Sequence, residues 1–246
     1  VSVLRERGVA ILGPGAGEQA CGEVGEGRMR EPTELVADLV ALRASVTGAS
    51  GSPLPAPVSR RLAGRRVLIS AGPTFEDIDP VRFLGNRSSG RMGFAVAEAA
   101  AAAGAEVTLV AGPVKLATPA GVRRIDVRSA AELRAAVLEA LPGQDAYVGA
   151  AAVADYRPAD VAASKIKKSD GPMTITLERT ADVLADVAAH AQRPRCVMGF
   201  AAETNDVETY ARGKLAAKKL DAIAANRVGV PGSGFDADDN ALTLYW

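Results

Sequence analysis

The chain has 246 residues and a formal net charge of zero, from 29 basic and 29 acidic side chains. That balance excludes a protein that coats a polyanion through bulk charge, and the length fits one large domain or one domain plus a fragment. Hydrophobic residues reach 48%, ample for a core. Neither a secretory leader nor an 18-residue apolar run is visible, so a soluble, cytoplasmic protein with no membrane or nucleic-acid partner is expected. Two cysteines, Cys21 and Cys196, give no disulfide framework. A single histidine, His190, excludes histidine-rich metal clusters and most Ser-His-Asp triads.

Taken in order, residues 1–47 offer a short apolar strand at Gly8–Leu12, a glycine-dense stretch GPGAGEQACGEVGEGRMREP, and an amphipathic helix from Thr33 to Arg43. These elements cannot enclose a core by themselves. Gly48 to Pro57, GASGSPLPAP, reads as a flexible linker. The chain is therefore divided into 1–47, a linker over 48–61, and a domain over 62–246.

The domain opens with a buried strand at Val67–Ser70. The polar segment that follows runs to Ser88, far beyond the about 2–6 residues usual between a strand and a helix. It carries Asp77, Asp79, Arg82, Asn86, Arg87, Ser88 and Ser89, and so reads as a ligand loop. Gly85 to Met92, GNRSSGRM, nearly spells a P-loop, but Arg91 stands where that motif needs lysine and Met92 where it needs a hydroxyl. No GxGxxG follows the first strand either. What remains is a Ser88-Ser89-Gly90 turn opening a helix near Ser89, whose unpaired N–H groups and dipole suit an anion.

That helix should run to Ala103 and close at Gly104. Strands follow at Glu106–Ala111 and, weakly, Arg124–Val127. Ser129-Ala-Ala-Glu132 is a capping box for a helix to Leu141, and Ala146–Ala151 is another buried strand. Met173–Glu178 alternates as a strand, and Thr180-Ala-Asp-Val starts a helix ending at His190, a surface partner of the helix dipole. Cys196–Ala201 is a strand, Val207–Leu220 a helix with Lys214 and Lys218 one turn apart, and Ala222–Asn226 and Ala241–Trp246 are the last strands. The alternation predicts an α/β, Rossmann-like, doubly wound and mostly parallel sheet with helices on both faces, its ligands beyond the strands' carboxyl ends. Asp155, just past such an end, suits Mg²⁺. Lys165-Ile166-Lys167-Lys168 puts three cations on a loop at the same edge.

DPVR at 79–82, NRSSGRMG at 86–93, ADYR at 154–157 and KIKK at 165–168 together resemble phosphopantothenoylcysteine synthetase, the ligase half of the bifunctional coenzyme A biosynthesis protein of bacteria. The resemblance spans essentially the whole chain. It implies that 4′-phosphopantothenate is activated by CTP to an acyl-cytidylate, and that the amino group of L-cysteine then displaces CMP. It places CTP against Gly149, Ala150, Ala151, Asp155, Lys165, Ala181, Asp182, Val183, Leu184, Phe200, Lys214 and Lys218, with Mg²⁺ at Asp155. Asn86 and Lys165 are then catalytic. Asn86 faces the acyl carbonyl, and Arg82, Ser88, Ser89 and Gly90 hold the phosphate end of the acyl substrate. A homodimer is implied, with a higher oligomer for a full bifunctional protein.

ACGEVGEGRMREP resembles the C-terminal end of the partner decarboxylase, a flavoprotein lyase. This resemblance makes Cys21 a proton donor and assigns FMN to the body of that half. Decarboxylation by this chain alone is not expected. Thr180-Ala-Asp182 departs from the family's Asn-Pro-Asp, and a C-terminal truncation is expected because family members continue with a lysine-bearing loop and a helix. Two rivals stand beside the ligase. Tyr210-x-x-x-Lys214 matches the Tyr/Lys pair of short-chain NAD(P)-dependent oxidoreductases, although the glycine-rich turn is lacking, and a non-catalytic nucleotide-binding module is the third reading.

Overall fold

The computed structural model describes residues 15–18, 24–28, 60–168, 170–203, 205–227 and 242–246. The chain falls into two compact units, Val1–Ala56 and Pro57–Trp246. In the first, β1 (Gly15–Glu18) and β2 (Val24–Arg28) form an antiparallel hairpin within the glycine-dense stretch, with a register shift between Gly15 and Ala16. The expected strand at 8–12, the helix at 33–43, the linker at 48–57 and Cys21 lie outside the described residues.

The second unit is built on a seven-stranded sheet. Its strands are β3 (Arg66–Ala71), β6 (Glu106–Ala111), β7 (Val122–Asp126), β8 (Ala146–Gly149), β11 (Cys196–Glu203), β12 (Ala222–Arg227) and β13 (Thr243–Tyr245). They lie in the order β13-β12-β11-β8-β3-β6-β7. Neighbours are parallel except for β13, which runs antiparallel to β12. The chain first winds outward from β3 to β6 and β7. It then returns across β3 to β8 and winds the other way.

Right-handed crossovers force helices onto opposite faces when the winding direction reverses. Helix α1 (Arg91–Ala102) joins β3 to β6 on one face, where Phe94, Ala97 and Ala100 meet Val67, Ile69, Val107 and Leu109. Helices α2 (Ala130–Ala140), α3 (Val183–Ala189) and α4 (Val207–Lys218) cover the other face. There Leu133, Val137, Val183, Val187 and Ala211 meet Leu68, Val110, Tyr147 and Val197. Alternate residues of β3 thus feed two separate cores, as a strand buried on both sides requires. The doubly wound fold expected from the sequence is the one observed.

Some element bounds differ from the sequence reading. The helix expected near Ser89 starts at Arg91, because Gly90 adopts φ +76° and serves as N-cap without a side-chain bond. The strand expected to reach Ala151 ends at Gly149. The helix expected at Thr180 starts after Asp182, whose carboxylate accepts the Ala185 N–H at 3.0 Å. Of Met173–Glu178 only the end pairs, as β10 (Leu177–Arg179) against β9 (Tyr156–Pro158).

The long 72–88 segment is an arm rather than an open loop. Within it β4 (Phe75–Asp77) and β5 (Phe83–Gly85) form a hairpin closed by Phe75 and Phe83, stacked 3.9 Å apart. Arg128 sits over both rings and pairs with Asp77 at 2.6 Å. Buried Glu76 accepts the Ala130 N–H at the start of α2 at 2.8 Å. The capping box is present with a shift: Ser129 Oγ accepts from Glu132 N, and Glu132 Oε2 accepts from Arg128 N, one residue ahead of the cap.

Candidate functional site

A cavity of about 850 Å³ opens at the carboxyl ends of β3, β8 and β11. This is the crevice where the winding direction reverses between β3 and β8, the place where open α/β sheets seat ligands. Its floor is formed by Ser70 and Tyr147, whose hydroxyls share a buried hydrogen bond of 2.9 Å across the two strands. Burial pushes the Tyr147 phenol up to about 12, against the opposing effect of the Ser70 bond.

Glycines let the walls close in. A Cβ on Gly93 would lie 2.4 Å from Ala71 Cβ, so α1 can meet the end of β3 only with glycine there. On the other wall, Gly149 and Gly199 sit side by side in β8 and β11. A Cβ on either would meet Leu184, at 3.2 and 2.8 Å respectively. These two bare strand positions form the socket that seats the first turn of α3 over the cavity.

The lining gathers most of the residues singled out in the sequence. Asn86, Ser88, Ser89 and Gly90 come from the arm's end and the α1 turn. Gly149, Ala150, Ala151 and Asp155 come from β8 and the loop after it. Ala181, Asp182, Val183 and Leu184 come from the start of α3, Phe200 from β11, and Lys214 and Lys218 from α4. Residues 150–154 are held in place because they run beside residues 72–74: Ala152 N donates to Gly72 O at 2.8 Å, and Ala154 N donates to buried Thr74 Oγ1 at 2.9 Å.

Asn86 Nδ2 donates to Val153 O at 2.9 Å, which fixes the amide's orientation and leaves its second N–H for a ligand. Among the described residues, no side chain caps or pairs with the Asp155 carboxylate. The two lysines are already engaged: Lys214 Nζ lies 2.7 Å from Glu203 Oε1, and Lys218 Nζ lies 2.7 Å from Asp182 Oδ2. Burial works against the Asp182 charge, yet the Lys218 pair and the Ala185 N–H outweigh it and hold the carboxyl below its usual range.

Arg87, named in the ligand loop, is on the wall, whereas sequence reasoning gave no role there to Arg91, Arg179 or Asn226. Arg87, Arg91 and Arg179 bring the cationic side chains on the wall to five with Lys214 and Lys218, against two carboxylates, Asp155 and Asp182. Arg87 and Arg91 were visible inside NRSSGRMG. Arg179 and Asn226 reach the cavity only through tertiary geometry, and no local pattern marks them. An excess of cations around a half-enclosed crevice suits a ligand with several negative charges.

Two described residues to which the resemblance gives a ligand role are not on the wall. Lys165 lies outside the lining. So does Arg82, whose guanidinium pairs with Asp79 Oδ2 at 2.7 Å and donates to Ile166 O at 2.6 Å. Burial alone would raise the Asp79 carboxyl, but the N–H groups of Val81, Ile166 and Arg82 and the guanidinium bring it down to about 2. Tyr210 of the oxidoreductase pattern is half exposed and absent from the wall, although Lys214 is on it. Among the described residues, no cluster of three or more His, Cys, Asp or Glu could hold a metal, and no helix is long and apolar enough to cross a membrane.

Fold and site define a doubly wound α/β protein with a cationic ligand crevice at the switch point of its sheet. Residues 62–246 match the family described as the DNA/pantothenate metabolism flavoprotein C-terminal domain, and the chain belongs to that family. It is 52% identical over 248 aligned residues to the coenzyme A biosynthesis bifunctional protein CoaBC of Vibrio cholerae serotype O1, covering all of this chain and 59% of the relative. To the protein of the same name from Escherichia coli K12 it is 47% identical, covering 58% of that relative. The chain thus spans under two thirds of the length of these relatives. A crystal structure of the C-terminal domain of a CoaBC protein is 43% identical, with a TM-score of 0.64 over 76% of this chain and 84% of the other.

Proposed function

We propose that the unit containing the sheet is a CTP-dependent phosphopantothenate–cysteine ligase. The observation that carries this reading is the cavity itself. One crevice collects Asn86, the Ser88–Gly90 turn, Asp155, the start of α3 and both α4 lysines, with five cationic side chains around about 850 Å³. That volume and charge suit a nucleoside triphosphate better than a neutral or monoanionic ligand.

In this reading the pantothenate carboxylate attacks the α-phosphorus of CTP and expels pyrophosphate, leaving an acyl-cytidylate. The amino group of cysteine then attacks the acyl carbon, the carbonyl oxygen turns negative, and the collapse of that intermediate expels CMP and leaves an amide. Lys214, Lys218 and Arg179 offset the phosphate charge from the wall, and Lys165 reaches in from its loop outside the lining. The ligand phosphates compete with Glu203 and Asp182 for the two α4 lysines, so nucleotide binding exchanges one set of ion pairs for another. The second N–H of Asn86 is the donor for the developing oxyanion. The start of α1, where the N-cap is Gly90 and makes no side-chain cap bond, turns the positive end of the helix dipole toward an anionic substrate end. Asp155 would hold Mg²⁺ jointly with ligand phosphates, the usual mode for a cation that keeps most of its ligands from water and phosphate. When bound, that ion would neutralise charge on the leaving pyrophosphate.

We assign a homodimer to the same unit. Val81, Phe83, Tyr156, Val161, Met173 and Leu177 are large apolar side chains left exposed on the β4–β5 and β9–β10 arms, more than an unpartnered surface usually shows on two adjoining hairpins. Residues 1–47 are read as the end of a flavoprotein decarboxylase half, with Cys21 as its proton donor and FMN belonging to that half's body. The support is that the match to relatives named as bifunctional covers all of this chain, residues 1–47 included.

The ligase reading is tested by mixing the protein with CTP, Mg²⁺ and 4′-phosphopantothenate and following pyrophosphate, then adding L-cysteine and following the amide by mass spectrometry. Pyrophosphate without cysteine and amide with it are expected. Amide formation with ATP but not CTP would remove the nucleotide assignment, and no pyrophosphate under any condition would remove the ligase. Sedimentation at micromolar concentration tests the dimer, and an active monomer would refute it.

A further inference from the structure

One residue of the cationic loop is held at both of its backbone groups. Ile166 N donates to Asp79 Oδ2 at 3.1 Å, and Ile166 O accepts from Arg82 Nη2 at 2.6 Å. Ile166 stands between Lys165 and Lys167, so a single Asp–Arg pair ties down the backbone from which two of the loop's cations project.

The pair is itself built to stay put. Asp79 Oδ1 accepts the Val81 and Arg82 N–H groups at 2.8 and 2.9 Å, and Oδ2 accepts Arg82 Nε at 3.0 Å. The Asp79 side chain is fully buried, so its charge is satisfied wholly within the protein and cannot meet a ligand. The turn is closed by Ile78 N and Asp79 N, both donating to Arg82 O. A second tie, Ala162 N to Ile78 O at 3.0 Å, secures the beginning of the same loop to the same turn. The planar fork of Arg82 is divided between a carboxylate and a carbonyl, which leaves it poorly placed to grip a phosphate bidentately.

We infer that Asp79 and Arg82 are positioning residues that clip the cationic loop at Ile166, so that Lys165, exposed and outside the cavity lining in the free protein, swings in to the nucleotide from a fixed pivot. The task given to Lys165 rests on the ligase reading above, whereas the clip is a property of the free protein. A loop free to wander would have to be ordered each time a nucleotide binds, and that entropy would be lost from binding or from the rate. Clipping the loop on folding removes that loss at every turnover. It also makes the β4–β5 arm and the loop one mechanical unit, since the turn between the arm's strands carries both Asp79 and Arg82.

The test uses Arg82→Lys and Asp79→Asn. Lysine keeps the positive charge but cannot span Asp79 and the Ile166 carbonyl together, and asparagine keeps size but loses the charge that gathers the donors. In the ligand-free protein, trypsin should cut after Lys165, Lys167 and Lys168 about 10- to 100-fold faster in both variants, the opening expected from losing hydrogen bonds to charged groups. The kcat for pyrophosphate release should fall by a similar factor while the KM for 4′-phosphopantothenate stays unchanged. Combined with Lys165→Gln, either variant should add little further loss, because both act through the same lysine.

Arg82→Lys that is cut like the parent protein and raises the KM for 4′-phosphopantothenate would overturn the clip and make Arg82 a substrate ligand. Effects that simply multiply with those of Lys165→Gln would also overturn it. If Asp79→Asn fails to fold, Arg82→Lys decides the matter alone. If the parent protein releases no pyrophosphate, the ligase reading fails, and the tryptic comparison still decides whether the loop is clipped.

Discussion

Replacing Gly93 by alanine probes how the cavity wall is made. The new Cβ would lie 2.4 Å from Ala71 Cβ, 3.2 Å from Ala71 Cα and 3.4 Å from Ala150 Cβ. Apolar carbons rest at about 3.5–4.0 Å, so α1 must lift from β3 by about 1 Å. Neither side can relieve the clash by rotating a bond, because the offending atoms are a Cβ and a Cα. Ala71 cannot retreat either, being fully buried between Ile69 and Ala111 in the core under α1. Overpacking of a tight contact costs about 1–3 kcal/mol, and an unrotatable clash belongs at the upper end, about 3 kcal/mol. The lift would also carry the Ser88–Gly90 turn and the first turn of α1 away from the ligand, weakening CTP binding by about tenfold or more, since displacements near 1 Å cost that much or worse in positioned sites. Urea unfolding gives the first quantity, as a lower midpoint at unchanged slope, and calorimetry with CTP gives the second. Gly121→Ala is the control. Gly121 has φ +75° with nothing within 4 Å and is not on the cavity wall, so it should lose about 1–2 kcal/mol of stability from backbone strain and no affinity. Gly93→Ala with unchanged midpoint and unchanged affinity would refute this view of the wall.

Four further outcomes are expected. Gly213 lies inside α4 with open space where a Cβ would go, so Gly213→Ala should stabilise the protein by roughly 0.8–1 kcal/mol, read as a higher urea midpoint; a loss would show a contact that the geometry lacks. Asn86→Asp places an anion against the Val153 carbonyl 2.9 Å away and facing the oxyanion, so the cysteine step should slow by about 10²–10³ or more while acyl-cytidylate accumulates. Lys165→Gln should instead suppress pyrophosphate release, and the reverse pattern by rapid-quench mass spectrometry would exchange the two roles. Finally, Asp79 titrates at about 2 in the folded protein against about 3.9 unfolded. A carboxyl lowered on folding stabilises above its unfolded value and loses that contribution as pH falls through the folded one. The melting temperature should therefore drop between about pH 4 and pH 2, and a slope unchanged by Asp79→Asn in a folded variant would refute Asp79 as a source of that loss.

Much of the fold was legible because the sheet's central strands are buried on both faces and read as apolar runs. Glu106–Ala111 stands where the sequence put it. Boundaries moved where backbone geometry outweighed composition. The helix expected near Ser89 begins two residues later, because Gly90 enters the left-handed region that glycine adopts freely and becomes the cap. The β4–β5 arm was not legible as a hairpin, for its strands are three residues each and depend on stacked Phe75 and Phe83 and on Glu76 docking against α2. The Glu76 contact joins segments 54 residues apart, and no local pattern encodes it. Of the candidate cavity's lining, Asp155, Lys214 and Lys218 were legible, yet the carboxylates that already hold the lysines were not. Glu203 and Lys214 are neighbours only because β11 ends beside α4. Arg82 shows the opposite limit: its motif was plain, and only the fold reveals that its guanidinium is turned toward Asp79 and the loop.

The most direct measurement is of the activated acid itself. Protein at substrate concentration is mixed with α-labelled CTP, Mg²⁺ and 4′-phosphopantothenate without cysteine, quenched within milliseconds to seconds, and the nucleotide products are separated and weighed by mass spectrometry. A labelled acyl-cytidylate approaching one per cavity, discharged to CMP and amide when cysteine is added, is the predicted result. Amide formed with no cytidylate at any time, or label recovered only as CDP, would contradict it, since the carboxylate would then be activated by some route other than attack on the α-phosphorus of CTP.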